Sequence, residues 1–306
     1  MNIELRHLRY FIAVAEELHF GHAAARLNIS QPPLSQQIQL LEQQVGARLL
    51  ARTNRSVALT PAGRQFLIDS RQILSQVDDA AARAARLHQG QSGELRVGFT
   101  SSAPFIKAVS DTLSTFRRRY PDVHLQTREI NTREQIAPLH EGTLDLGLMR
   151  NTALPETLAW EVILREPLLA MVPRDHPLAA QPVVTLSELA KEPFVFFDPH
   201  VGTGLYDDIL GLLRRYGLVP RIAQEVGEAM TIIGLVAAGL GVSILPASFC
   251  RVQLSEMRWL PIAEADAVSQ MWLVWSKHHE QGAAALHFKQ QLLESVKSDQ
   301  NLSRSG

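Results

Sequence analysis

The segment Gly90-Gln91-Ser92-Gly93 divides the chain into two parts that follow different folding rules. Before it runs a long stretch rich in Ala, Gln and Arg; the main strand-like patterns begin only after it. Residues 1–90 hold ten Arg, no Lys and seven acidic residues, a charge of +3, so the other 216 residues carry −4 and the whole chain −1. A section that is basic through arginine alone suits phosphate oxygens and guanine edges, because the planar guanidinium fork donates two parallel hydrogen bonds. The bland alternative is a chance excess of solvated cations. With 306 residues, 46% apolar and 20% charged, each part has enough apolar material for its own core. Disordered, collagen-like and purely coiled-coil chains are excluded.

In the basic part, Leu5, Leu8, Phe11, Ile12, Ala15 and Leu18 follow three- and four-residue steps, which predicts a first helix with one apolar stripe. Ala23, Ala24 and Leu27 predict a short second one. Asn28-Ile29-Ser30 interrupts the pattern, and Ser30 is placed to cap a third helix whose first turn holds Pro32 and Pro33, where missing N–H groups cost little. Along that helix Leu34, Ile38, Leu41 and Val45 recur at helical spacing, leaving Ser35, Gln36, Gln39 and Gln43 on other faces. A face of hydroxyls and amides, nearly free of charge, is what reading base edges in a major groove requires; a merely solvated face would usually carry Lys and Glu.

Arg48 to Thr60 then reads as a small β-wing: Val57 and Leu59 alternate, Thr53-Asn54 supplies turn chemistry, and Arg52 and Arg55 fall near the tip, in reach of phosphates or a minor groove. An idle exposed hairpin is the alternative. From Pro61 to Gln89 a helical stretch follows in which Phe66, Ile73, Ala80 and Leu87 repeat every seven residues, with Ser70, Val77 and Ala84 interleaved. This predicts a dimerisation helix, with packing against its own domain as the alternative.

Several of these segments carry a resemblance. His19-Phe20-Gly21-His22-Ala23-Ala24-Ala25-Arg26-Leu27-Asn28-Ile29-Ser30-Gln31-Pro32-Pro33-Leu34-Ser35-Gln36-Gln37-Ile38, then Leu41-Glu42-Gln43-Gln44-Val45-Gly46 and Leu59-Thr60-Pro61-Ala62-Gly63, resemble the N-terminal signature of LysR-type transcriptional regulators. The turn, helix, wing and linker occur in the family's order, and the resemblance spans the whole chain. Leu50 stands where many members have Phe, and Gln36 where several have Arg, which bears on the preferred base. The resemblance implies an α/β protein with an all-α, winged N-terminal domain: a winged helix-turn-helix over 1–60, a linker helix over 61–90, and a periplasmic-binding-protein-like effector domain of two α/β subdomains over 93–300. The DNA-binding set expected is Gln31, Pro33, Ser35, Gln36, Gln39, Arg52 and Arg55; the dimerisation set is Phe66, Ile73, Val77, Ala80, Ala84 and Leu87.

The acidic part supports an open α/β sheet on its own account. Leu95–Phe99, Leu144–Leu148, Phe194–Phe197 and Met271–Trp275 alternate with helical stretches, predicting a largely parallel sheet. Ligands of such sheets bind beyond the carboxyl ends of strands. Thr100-Ser101-Ser102 sits at one such end, before a helix containing Ile106, Val109, Leu113 and Phe116, where hydroxyls and backbone N–H groups meet a polar or anionic group; simple capping by Ser102 is the alternative. Asn131-Thr132, Met149-Arg150, Asp198 and Gly202-Thr203-Gly204 are similar positions. Arg150 can grip a carboxylate or carbonyl, or close a structural ion pair. Gly202-Thr203-Gly204 lacks the spacing and strand context of a dinucleotide fingerprint, and Gly239-Leu240-Gly241 reads as a turn before the strand Val242–Leu245.

The resemblance places crossings between lobes near Arg165-Glu166-Pro167 and Glu264–Ser269, giving one lobe of 93–164 plus 269–300 and another of 165–268. It implies that Thr100, Ser101, Ser102, Thr132, Arg150 and Thr203 line the cleft for a small-molecule effector. It further implies homodimers or homotetramers, double-stranded DNA as partner, DNA bending, and activation through RNA polymerase. Within the family the chain resembles regulators of purine handling and, more distantly, of aromatic-acid catabolism. A purine or nucleoside would use an aromatic face and amides, for which Phe105, Phe197 and Asn131 are available; an aromatic acid would use Arg150 with the hydroxyl cluster.

Competing functions have less support. Cys250 is the only cysteine, so an intrachain disulfide or a Cys-based metal site within one chain is impossible, and no metal or other cofactor is expected. His278-His279 lacks the spacing of a helical zinc pair, and neither a Gly-x-Ser-x-Gly elbow nor a phosphate loop occurs, which argues against an enzyme. The acidic part alone would suit a solute-binding protein without a transcriptional role. Met1-Asn2-Ile3-Glu4-Leu5-Arg6 lacks the basic and apolar regions of an export signal, and no apolar run reaches membrane-helix length, so a cytoplasmic location without a membrane partner is expected.

Overall fold

The computed structural model describes residues 2–52, 56–201 and 204–304, with side-chain surroundings as far as residue 299. It separates into two compact units, Met1–Arg86 and Leu87–Gly306.

The first unit begins with α1 (Leu5–Glu17), α2 (Phe20–Arg26) and α3 (Gln31–Val45). Leu8, Phe11, Val14 and Ala15 are the buried stripe of α1, while Leu5 and Leu18, at the two ends of the expected stripe, lie exposed. His19 starts α2: the N–H groups of Gly21 and His22 donate to its Nδ1 at 3.1 and 3.2 Å. Ser30 takes the cap position of α3 but its side chain makes no capping bond, correcting the expectation. The reason is local: a capping hydroxyl accepts from the second or third helical N–H, and here those residues are Pro32 and Pro33. Leu34, Ile38 and Leu41 are wholly buried against α1 and α2, each worth roughly 1.5–3 kcal/mol relative to exposure.

Strands β1 (Leu50–Arg52) and β2 (Val57–Leu59) pair antiparallel, Leu50 opposite Leu59. They lead into α4 (Pro61–His88). Thr60 Oγ1 donates to the carbonyl of Arg48 at 2.7 Å and accepts from Gly63 N–H at 2.9 Å. A Cβ on Gly63 would lie 2.0 Å from the Leu49 carbonyl oxygen, so only glycine lets the first turn of α4 approach β1.

The second unit contains β3 (Gly93–Phe99), α5 (Lys107–Arg119), β4 (Val123–Glu129), α6 (Ile136–Glu141), β5 (Leu146–Arg150), β6 (Leu158–Pro173), α7 (Leu186–Leu189), β7 (Pro193–Phe197), α8 (Gly204–Arg215), β8 (Arg221–Val226), α9 (Ala229–Ala237), β9 (Ser243–Pro246), β10 (Met257–Pro261), β11 (Val268–Ser276) and α10 (Ala283–Arg304). The main path runs β10-β6-β11-β5-β3-β4, with β9 also on β6; β7 and β8 pair separately and parallel. Only β3 with β4 and β3 with β5 are parallel in the main sheet. The sheet is therefore mixed rather than largely parallel. Two features cause this: β11 returns from far along the sequence, inserts between β5 and β6 and runs against both, and β9 and β10 run against the second half of β6.

The 16-residue β6 pairs with β11 as far as Pro167 and with β9 and β10 from Leu168 onward. Its two halves face different cores. One apolar cluster draws on residues within 168–267, the other on 95–163 and 271–296. Among the described residues no helix is long and apolar enough to cross a membrane.

Candidate functional site

On α3, Gln31, Pro33, Gln36 and Gln39 are exposed and Ser35 is half-buried, all on faces that the core does not use. Gln37 is spent inside the unit. The buried His7 ring accepts from Glu4 N–H at Nδ1 (3.0 Å), so its Nε2–H donates to Gln37 Oε1 at 2.8 Å. This bond ties α3 to the start of α1 and fixes which face of α3 turns outward.

Glu42 ties α3 to the wing. Its Oε1 accepts the N–H groups of Leu49 and Leu50 at 2.8 and 3.0 Å, and its Oε2 accepts Arg52 Nη2 at 2.9 Å. The Arg52 guanidinium also lies 4.9 Å from the Phe20 ring centroid. Expected as a free cation near the wing tip, Arg52 is instead neutralised within its own unit. Arg55 lies outside the described residues. Arg6 pairs with Glu4, and Arg26 and Arg71 both pair with Glu16, whose carboxyl those two hydrogen bonds hold below its ordinary value. The arginine count of the basic part therefore overstates what is available to phosphates.

Of the expected seam on α4, Phe66 is turned inward: its ring meets Phe11 edge-on at 5.3 Å, and it packs on the first unit's core. Ile73, Val77, Ala80, Ala84 and Leu87 are exposed. They leave exposed apolar residues at seven-residue spacing along α4, with Ile68 exposed as well.

In the second unit a small, partly open cavity of about 20 Å³ is lined by Thr100, Ser101, Ser102, Asn131, Thr132, Arg150, Phe197, Gly204, Leu205, Gly227 and Glu228. Thr203 lies outside the described residues; the other five expected effector residues all meet here. Ser102 does not cap a helix with its side chain. Its Oγ accepts Arg150 Nε at 3.1 Å and lies 3.3 Å from Thr100 Oγ1. Phe197 borders the cavity, but Phe105 packs with its ring tilted against Phe249, centroids 5.4 Å apart, and is not on its wall.

Arg150 ends β5 and is fully buried. Burial pushes its guanidinium below the ordinary value, opposed by the charge and hydrogen bond of Glu166. Nη1 donates to Glu166 Oε1 at 2.8 Å, and Glu166 Oε2 accepts Ser248 N–H at 2.6 Å. Among the described residues Arg150 Nη2 and Thr132 Oγ1 have no partner. Buried polar atoms are seldom left so, and both belong to the cavity wall.

The first turn of α8 closes the cavity. A Cβ on Gly204 would sit 2.8 Å from Arg150 Cβ and 3.2 Å from Thr132 Oγ1, so a larger residue would hold the helix off. Arg133 donates to Asp207 at 2.6 Å, Asn151 to Asp208 at 2.6 Å, and Ser269 Oγ to Asp208 at 3.0 Å. Burial raises the Asp208 carboxyl above its ordinary value despite the Ser269 and Asn151 hydrogen bonds. Gly204 and Leu205 of α8 and Glu228, the cap residue of α9, line the cavity, so two helix N-termini face it. The present volume holds a water or two. A larger ligand requires α8 and its lobe to move away.

Sequence reasoning missed Glu42, His7 and Gln37, which act inside the first unit, and Glu166, Asp208, Gly227, Glu228 and Ser269 in the second. Gly227-Glu228 follows β8, whose burial does not alternate, so no strand end was visible there.

The chain matches two family models: the bacterial regulatory helix-turn-helix protein, lysR family, over residues 5–64, and the LysR substrate binding domain over 88–297. It is 81% identical to an uncharacterized HTH-type transcriptional regulator, YnfL, of Escherichia coli K12, over 97% of this chain and 100% of that one. It is 40% identical to the HTH-type transcriptional regulator AlsR of Bacillus subtilis, over 80% and 81%. Among solved structures it resembles full-length CbnR complexed with its target DNA, with a TM-score of 0.82 at 29% identity, covering 96% of this chain and 100% of that one. The family is one of regulators rather than enzymes. With a winged helix-turn-helix ahead of a two-lobed substrate-binding domain and relatives matched along nearly all its length, the chain belongs to the LysR family of DNA-binding transcriptional regulators.

Proposed function

We propose that Gln31, Pro33, Ser35, Gln36 and Gln39 meet base edges in a major groove, with Arg55 reaching phosphate or the minor groove. The carrying observation is the composition of the exposed side of α3, four amide side chains and no Lys or Arg, on a helix anchored from behind by Leu34, Ile38, Leu41 and Gln37. CbnR, similar over nearly the whole chain, has been crystallised with its target DNA. The exposed Ile73, Val77, Ala80, Ala84 and Leu87 pair two copies of α4, so that a dimer presents two copies of α3 to a partly palindromic site. Tetramers, contact with RNA polymerase and a cytoplasmic location complete the reading.

The effector binds at the cavity between the lobes, presenting a carbonyl or carboxylate oxygen to Arg150 Nη2 and Thr132 Oγ1, beside Thr100, Ser101, Ser102 and Thr203. The two unpartnered buried atoms support this. Purine nucleosides and aromatic acids both carry such oxygens. Because only differential affinity moves an equilibrium, the ligand acts by favouring one separation of the lobes.

The test selects genomic fragments bound by the purified protein, with and without a purine nucleoside or an aromatic acid. Enrichment of a few sites whose occupancy one ligand changes is the expected result. Binding should fall with salt at about −0.9 in log–log slope per phosphate neutralised; a flat response, or no enriched fragment, overturns the reading.

A further inference from the structure

We propose that Glu42 sets the strength of sequence-independent DNA binding, by withholding the Arg52 guanidinium from the phosphate backbone. The proposal rests on the reading of α3 and the wing as the DNA-contacting face. Glu42 stands on α3 with its two oxygens differently committed: Oε1 takes both backbone N–H groups of Leu49 and Leu50, leaving Oε2 for Arg52. Arg52 is the last residue of β1, where the chain enters the wing. Its side chain is 28% exposed and that of Glu42 14%, so the pair is partly shielded from solvent yet within reach of a bound duplex. Phe20 beneath the guanidinium holds it in place further.

A cation already matched by a carboxylate releases few counterions when DNA arrives, so Arg52 adds little to affinity as the wild type stands. Freed, it would add one phosphate contact per protomer. Such a contact steepens the log–log salt slope by about 0.9 and strengthens binding to all sequences alike. Removing a carboxylate from the last turn of α3 should therefore raise affinity without changing sequence preference. Glu42→Gln is the informative change, because its amide oxygen still accepts from Leu49 and Leu50 while the charge on Arg52 is released.

The experiment measures fluorescence anisotropy of the full-length protein on a random duplex and on a fragment selected for binding, between 50 and 200 mM salt. For Glu42→Gln the fall in affinity across that range should exceed the wild type's by about threefold per contacting protomer, on both duplexes equally. In an Arg52→Gln background the gain should vanish; a gain that persists there is a general charge effect and overturns the proposal. Arg52→Gln alone, which keeps Glu42 intact for the wing, should change affinity less than about twofold, whereas a slope shallower by about 0.9 would identify Arg52 as a working phosphate contact and also overturn it. A wild type with a steep slope and an indistinguishable Glu42→Gln variant sinks the role of Glu42 alone. A wild type that binds no duplex sinks the DNA-face reading with it.

Discussion

On α3 the polar groups assigned to DNA come from residues 31–39 and are largely open to solvent, whereas the cavity wall gathers side chains from Thr100 to Glu228, and its buried guanidinium, Arg150, is bonded to Ser102 on the wall and to Glu166 behind it. The difference follows from solvation. Outward amides are satisfied by water until DNA replaces it, so they need no partners in the free protein. Inward groups have no such reserve: Arg150 is held by Ser102 and Glu166, Glu166 by Ser248, and Asp208 by Asn151 and Ser269. A ligand-binding group is thus recognised at the surface by the absence of charge where charge is usual. In the interior the corresponding sign is a buried polar atom on a cavity wall that lacks a partner where partners are usual, as at Thr132 Oγ1 and Arg150 Nη2 among the described residues.

The contrast breaks most visibly at Glu166. Glu166→Ala leaves a fully buried guanidinium uncompensated and should cost the second unit about 3–5 kcal/mol, read from urea unfolding. A loss below about 1 kcal/mol would mean that water reaches Arg150 and that the wall is not dry. Gln36→Ala, at a solvated position, should leave unfolding unchanged. It should cost specific DNA binding about 1–3 kcal/mol and random duplex much less; equal losses on both would remove α3 as a reader of bases.

The same contrast explains what the sequence discloses. Helical periodicity made Leu34, Ile38 and Leu41 recognisable as core, and therefore the outward residues of α3 as well, since one helix carries both faces. Strand ends made Thr100, Ser102, Thr132 and Arg150 recognisable as a group. The partners of Arg150 were not recognisable, because Glu166 and Ser269 lie mid-strand or at a strand start on β6 and β11 and meet Arg150 only through tertiary pairing. The partners of Arg52 and Phe66 are hidden in the sequence for a related reason. Spacing says that a residue can face outward, and only the tertiary neighbours show that the Arg52 charge is matched by Glu42 and that the Phe66 ring is turned onto Phe11.

Thr132 sharpens the comparison from the other side. A hydroxyl kept unpartnered for a ligand weakens the free protein, so Thr132→Val, close in shape, should stabilise the unliganded second unit by about 1 kcal/mol. It should also remove any thermal shift caused by the effector. A destabilised variant would show that Thr132 Oγ1 already has a partner in solution, and the reading of unpaired interior groups as ligand contacts would fail there.

The smallest effect is expected at Asp208, where hydrogen bonds from Ser269 and Asn151 and the charge of Arg150 oppose the burial that raises its carboxyl. The sign follows from proton counts. With a folded-state value above the ordinary 3.8, the folded protein holds this proton to higher pH than the unfolded chain. The contribution to stability is then fully present below about pH 4 and is lost as pH rises through the raised value. Asp208→Asn carries no such proton, so the melting temperature of the variant minus that of the wild type should increase from acidic pH toward neutrality and then level. Taking the difference cancels the other titrating groups. A difference that stays constant with pH would mean that the carboxyl titrates as if exposed, and that the Asp208 hydrogen bonds to Asn151 and Ser269 are broken in solution.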